Sequence, residues 1–217
     1  AMLDVGMLDV AMLDVEMLDR EINARLVEVN RQMSTYRDDS EISQFNRSRT
    51  TDWVGISSDF AYVLSVAHEL STWSDGAFDI TVFDLMSLWG FGPNPREEFP
   101  TAVQIEVIKN RMGFQNVILE SGGVRKLNPE IKLDVNAIAK GYGVDLVFEW
   151  ILENGFKNIF VEIGGEVRCA GKNQDGLLWQ VGLIDPKISA SPGGELYTVV
   201  TLDGKAMATS GNYRNFV

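Results

Sequence analysis

The sequence predicts an α+β fold, and three observations carry that expectation. Helical periodicity fills the first half of the chain, short strand-like runs fill the second, and one long helix stands between strands. A doubly wound sheet would instead alternate strand and helix throughout.

Leu18, Ile22, Leu26, Val29 and Met33 fall on one stripe of a helix over 16–33. The polar stretch 34–46 then reads as a loop entering a short helix capped by Asp39 or Ser40. Phe60, Val63, Leu64, Ala67 and Leu70 predict a second long helix over 58–73, ended by Asp75 and Gly76. Thr101 and Gln104 have the spacing of a capping box, which opens a third helix running to Gly113. Residues 116–120 and 124–127 flank Ser-Gly-Gly and predict a hairpin. The run 131–135 is strand-like, and 137–154 is helical with Gly155 as its stop. Strands follow at 158–163, 166–170, 179–184 and 196–202, while the Pro and Gly clusters at 90–100 and 186–194 read as loops.

The first 20 residues differ from the rest. Met2, Met7, Met12 and Met17 each precede Leu-Asp, a period of five that matches neither helix nor strand. Residues 1–20 are therefore an atypical repetitive segment, and 21–217 are the folded domain. No apolar run of about 18 residues occurs, and no signal-peptide pattern opens the chain.

Composition narrows the function. Of 217 residues, 45% are apolar and 23% charged, which is ordinary for a globular protein. The net charge of −12 excludes a nucleic-acid partner, since a polyanion needs a concentrated Lys/Arg face. The same charge means that a bound diphosphate needs local cations. Cys169 is the single cysteine, so neither an internal disulfide nor a cysteine cage for metal can form. His68 is the single histidine and sits in a helical pattern, where a helix-face role outweighs a catalytic one.

Four segments carry potential chemistry. Tyr36 beside Arg37 can stack on a planar ring, although packing is the commoner fate of a tyrosine there. In 74–81, Gly76 and Ala77 permit close backbone approach, with Phe78 beside them; Asp79 can accept hydrogen bonds from a ligand or close an Asx turn. Asp134 ends an apolar run just before a helix whose start and Lys140 together would attract an anion; alternatively Asp134 caps and Lys140 is solvated. This is no Walker loop. Finally, 162–166 and 208–214 are Gly-rich, and Ser210 has no histidine base near it in sequence.

Six stretches in register carry a resemblance: Met33-Ser-Thr-Tyr-Arg-Asp-Asp-Ser-Glu-Ile-Ser-Gln-Phe-Asn46, Asp75-Gly-Ala-Phe-Asp-Ile-Thr81, Leu88-Trp-Gly-Phe-Gly-Pro93, Leu133-Asp-Val-Asn-Ala-Ile-Ala-Lys-Gly-Tyr142, Ile163-Gly-Gly-Glu166 and Ala208-Thr-Ser-Gly-Asn-Tyr213. Over about 22–217 the chain resembles the FAD:protein FMN transferases, the ApbE-type flavin transferases once labelled thiamine-biosynthesis lipoproteins. The resemblance implies an α+β flavin-transferase fold of mixed and antiparallel sheets with flanking helices. It implies Mg²⁺-dependent transfer of FMN from FAD to a Thr or Ser hydroxyl of an acceptor flavoprotein, releasing AMP. Hydrolysis of FAD to FMN and AMP, or FAD binding without catalysis, are the alternatives. Carried over, Tyr36, Ala77, Phe78, Asp79, Asp134 and Lys140 would contact FAD, and the Ala137 carbonyl would be a metal ligand. The likeness further implies a periplasmic location, with a membrane-anchored precursor.

Two departures stand out. The family's Met-Gly-Thr start is replaced by the repeats, so no contact is assigned there. The later His-Ile-Ile-Asp-Pro-type motif, with the family's catalytic histidine and acidic metal site, does not occur before Val217. The catalytic residue is therefore unassigned, and a chain ending there is expected to lack full activity unless the sequence continues.

Overall fold

The apolar stripe beginning at Leu18 becomes helix α1 (Val15–Met33), with Leu18, Val29 and Met33 buried. The computed structural model describes residues 2–3, 15–93, 98–120, 122–184 and 196–211. They fall into two units, one of residues 26–139 and one of 1–25 with 140–217. Residues 94–97 of the loop expected at 90–100 lie outside the described residues, as do the loop expected at 186–194 and residues 4–14 of the repeat.

In the unit of 26–139, Ser40 caps helix α2 (Glu41–Arg47), its hydroxyl accepting the Ser43 N–H. Helix α3 (Ser58–Trp73) buries Phe60, Val63, Leu64 and Ala67, the stripe read from sequence. It ends where Asp75 and Gly76 turn left-handed at φ 51° and 79°, and the Gly76 N–H reaches back to the Ser71 carbonyl at 2.8 Å. A short helix α4 (Phe83–Leu88) follows, which the periodicity did not predict. Helix α5 (Ala102–Lys109) has the expected capping box but stops four residues before Gly113, with Asn110 as its C-cap.

A three-stranded antiparallel sheet completes this unit: β2 (Val54–Gly55), β4 (Gly123–Lys126), then β3 (Val117–Glu120). The β3–β4 pair is the hairpin expected from sequence. The run 131–135 is not a strand, which corrects the expectation. Ile131, Leu133 and Val135 are buried and alternate as in a strand, but their backbone partners are mostly side chains. The Asn46 amide accepts the Leu133 N–H at 2.7 Å and donates to the Leu133 carbonyl at 2.8 Å. The Lys126 ammonium donates to the Ile131 carbonyl at 2.9 Å and the Phe45 carbonyl at 3.1 Å. The Asp134 N–H goes to the Ile80 carbonyl. An extended segment clamped this way needs no neighbouring strand.

Helix α6 (Asn136–Glu153) follows directly and ends before Gly155 at φ 90°. In the unit of 1–25 and 140–217, a four-stranded antiparallel sheet runs β1 (Met2–Leu3), β5 (Ile159–Ile163), β6 (Glu166–Ala170), β9 (Ala206–Met207). Beside it is the ribbon of β7 (Trp179–Ile184) and β8 (Leu196–Leu202). Val167, Cys169 and Leu202 form a core against Phe160, Trp179, Val181 and Val200. The Trp179 indole N–H is satisfied by the Ala170 carbonyl at 2.9 Å. Cys169 is 1% exposed, and burial pushes its thiol up.

Two outcomes follow. Asn46→Ala leaves a buried N–H and a buried carbonyl unpartnered, and is expected to cost ~2–4 kcal/mol in urea unfolding. Lys126 is 1% exposed; burial above all, then the like charges of Arg49 and Lys132, push its ammonium down to about 8 from 10.5. Between those values the unfolded chain binds more protons than the folded one, so stability rises with pH. Relative to Lys126→Met, the native protein is expected to gain ~1–3 kcal/mol across that window, measured by unfolding at fixed pH steps.

Candidate functional site

The first turn of α6 is where three of the singled-out segments meet. Asp134 turns its carboxylate onto the following backbone, Oδ1 accepting the Asn136 N–H at 2.8 Å. The Asn136 side chain spans outward, its Nδ2 donating to Asp134 Oδ2 at 3.2 Å and to the Thr35 hydroxyl at 3.3 Å. Through its own N–H, Asp134 is tied to Ile80, next to Asp79. The Thr35–Tyr36 loop, the 77–80 turn and the 134–137 segment are thus stitched together inside one unit. Asn136, the residue that joins the first and third, carried no signal in the sequence beyond its place in the motif.

The helix start itself has fewer free donors than its position suggested. The N–H groups of Ile138 and Ala139 both go to the Val135 carbonyl, at 3.0 and 2.8 Å, and that of Asn136 to Asp134. Asp134 already places a negative charge at the positive end of the helix dipole. A second anion there needs a cation more than it needs N–H groups. Asn136 and Ala137 are exposed, so the Ala137 residue is open to solvent.

Tyr36 does not pack: it is 65% exposed, which removes the commoner alternative for it. Its loop is held from beneath, with the Ser40 hydroxyl donating to the Ser34 carbonyl at 2.7 Å. Arg37 is engaged with Asp39 through two bonds, of 3.0 and 2.6 Å. The guanidinium holds the Asp39 carboxyl below its ordinary value. Arg37 therefore serves its own loop.

Ala77 is exposed and Phe78 half-buried. Asp79 forms the turn foreseen as the alternative to ligand binding. Its Oδ1 accepts from the N–H and hydroxyl of Thr81, each at 2.7 Å, and its Oδ2 accepts the Phe114 N–H at 3.0 Å. The carboxylate is filled by its own fold and fixes the turn that presents Ala77 and Phe78. His68 lies exposed on α3, edge-on to Phe114 at 5.3 Å, and takes no part.

In the other unit, Lys140 meets the Gly-Gly segment. Gly164 and Gly165 link β5 to β6 as a two-residue turn with φ 59° and 97°, left-handed at both positions as a type I′ hairpin demands. The Lys140 ammonium lies 2.8 Å from Glu166 Oε2 and donates to the Gly164 carbonyl at 3.4 Å. Lys140 is thus not simply solvated. Thr209 borders the same turn, 3.4 Å from where a Cβ on Gly165 would stand. Asn212, Tyr213 and Arg214 of the last segment lie outside the described residues.

The candidate metal donors are hard oxygens. Among the described residues no group of three or more His, Cys, Asp or Glu side chains could hold a metal ion. A backbone carbonyl such as that of Ala137 is a ligand of the kind Mg²⁺ takes, since the ion keeps several waters and few protein ligands.

Comparison with known proteins identifies the family. The sequence model described as "ApbE family" matches residues 4–217. A Vibrio cholerae protein named FAD:protein FMN transferase is 38% identical over 196 residues, 90% of this chain and 58% of the relative. One of the same name from Haemophilus influenzae is 40% identical, covering 89% of this chain and 57% of the relative. The chain thus spans less than two thirds of the length of these relatives. Among solved structures, the flavin transferase ApbE from Vibrio cholerae superposes with a TM-score of 0.87 at 37% identity, covering 94% of this chain and 66% of the other. The apo flavinyl transferase ApbE of Pseudomonas stutzeri gives 0.83 at 34% identity, covering 93% and 62%. The fold is that of the ApbE structures, and the chain belongs to the ApbE family.

Proposed function

We propose that the protein moves the FMN half of FAD onto a Thr or Ser hydroxyl of an acceptor flavoprotein, with Mg²⁺, releasing AMP. The observation that carries this reading is the bonded cluster Thr35–Asn136–Asp134–Ile80, which joins three family segments at one helix start. Membership of the family supports the reaction class.

The reaction forms a bond from the acceptor oxygen to the FMN phosphorus and breaks the bond from that phosphorus to the AMP oxygen. AMP departs with the bonding electron pair, and the hydroxyl proton passes to solvent water. Little covalent work falls to the protein, so positioning and charge dominate. In this reading the exposed Tyr36 ring stacks on the flavin nucleotide, and Ala77 and Phe78 line the ligand on a turn that Asp79 fixes. Asp134 faces FAD at the start of α6, and Lys140 supplies a positive charge to the diphosphate. The Ala137 carbonyl would hold Mg²⁺, which supplies charge neutralisation across the diphosphate. That need is acute in a chain of net charge −12. A periplasmic location with a membrane-tethered precursor is part of the same proposal.

The direct test incubates the protein, expressed from its whole gene, with FAD, Mg²⁺ and a threonine-bearing acceptor flavoprotein. The expected result is covalent flavin fluorescence on the acceptor with one AMP released per flavin attached. AMP without labelled acceptor would instead identify an FAD pyrophosphatase, and binding with no AMP a non-catalytic module. Asp134→Asn keeps an oxygen for the Asn136 N–H but removes the charge and replaces the acceptor of the Asn136 Nδ2 bond with a donor. It is expected to cost ~1 kcal/mol in unfolding while weakening Mg²⁺-dependent FAD binding roughly tenfold, about 1.4 kcal/mol, by fluorescence titration. Unchanged affinity would dismiss Asp134 from the site.

A further inference from the structure

Glu166 is the first residue of β6, directly after the Gly164–Gly165 turn. Its side chain is only 13% exposed, whereas that of Lys140, which it faces at 2.8 Å, is 50% exposed. Its buried Oε2 receives no aligned hydrogen bond among the described residues, so the approach is an ion pair, not a directed bond. A carboxylate buried to this degree is costly unless a cation answers it. Lys140 is the cation that does so.

The turn explains why the two groups can meet. With both central residues left-handed, the hairpin folds back tightly, and the Gly164 carbonyl points to the same ammonium. A Cβ on Gly164 would stand 3.5 Å from Lys140 Cδ and 3.8 Å from its Nζ. The aliphatic stem of the lysine therefore lies along the bare face of the turn. On the next residue, the Gly165 N–H donates to Glu162 at 2.8 Å, which fixes the turn from its other side. Lysine is a flexible point charge on a four-carbon stem, and its rotamer freedom is lost when it must meet one phosphate. Here the freedom is removed beforehand.

The geometry points to Glu166 as a positioning residue that acts through Lys140, holding the ammonium against the Gly164 turn so that it is pre-set for an anionic ligand. This rests on the reading of Lys140 as a contact to the FAD diphosphate. Glu166 touches no reacting atom. Its effect is to fix where the positive charge sits, and the half of Lys140 left in solvent is the half free to meet phosphate.

The test is a double-mutant cycle read on FAD affinity with Mg²⁺ present, in the protein carrying all 217 residues of this sequence. Glu166→Gln, which keeps the shape and removes the charge, is expected to weaken FAD binding about tenfold in the native background. In the Lys140→Met background the same change is expected to alter it less than twofold. Equal weakening in both backgrounds would show a merely structural role, and unchanged or tighter binding in the native background would also overturn the inference. A second readout needs no FAD: the ¹⁵N-edited signal of the Lys140 ammonium, which survives fast solvent exchange only when the group is held. A sharp signal in the native protein, lost in Glu166→Gln, supports the positioning even if FAD fails to bind. Its absence from the native protein, or its persistence in the variant, overturns it.

Discussion

The paired hydrogen bonds between the Asn46 amide and the Leu133 peptide are the constraint on which the candidate site depends. They join residues 87 positions apart and satisfy both backbone groups of a buried residue at once. Leu133 precedes Asp134, and Asp134 sets the start of α6. A shift of the extended segment by one residue would turn its buried and open positions inside out. Asp134 would then face the core and Leu133 the solvent. The Lys126 ammonium fixes the same segment two residues earlier, at the Ile131 carbonyl. Two polar side chains thereby do for this segment what a neighbouring strand does elsewhere, and they leave its far end free to begin a helix.

Charge in this protein is placed locally, not averaged over the surface. The net balance of −12 gives no hint that a lysine is fully buried against carbonyl oxygens, nor that another is held by a nearly buried glutamate. Arg168 shows the same habit. It bridges Asp145 and Glu149 of α6 at 2.8 and 2.6 Å and lies over the Phe148 ring at 4.2 Å. Sheet and helix of that unit are fastened by one guanidinium, whose planar fork suits two carboxylates. Among the described residues, Arg31, Arg37, Lys132 and Lys140 are likewise ion-paired to acidic neighbours.

The sequence revealed those elements whose pattern is long and local. The stripes of α1 and α3 and the capping box of α5 were legible because helix periodicity and caps are written in neighbouring residues. The same holds for strands β5 to β8, whose short apolar runs end at Gly and polar turns. Helix α4 escaped because six residues make under two turns and show no period. The extended segment 131–135 was misread as a strand because alternation reports burial and says nothing of who receives the hydrogen bonds. In the candidate site, motif order brought the residues to notice, but not their partners. Nothing local to Asp79 tells that Phe114, 35 positions later, fills its second oxygen. Nothing near Lys140 names Glu166.

The lone thiol has a use that follows from its seat. Cys169 sits on β6, its N–H bonded to the Lys205 carbonyl at 3.2 Å and its sulfur facing the Leu202 and Lys205 carbonyls. At 1% exposure it can be reached by a reagent only when the packing around it opens. Because no other cysteine competes, the pace of alkylation at that sulfur meters a single local opening. The molecule thus carries its own clock for breathing in one sheet, with no label added.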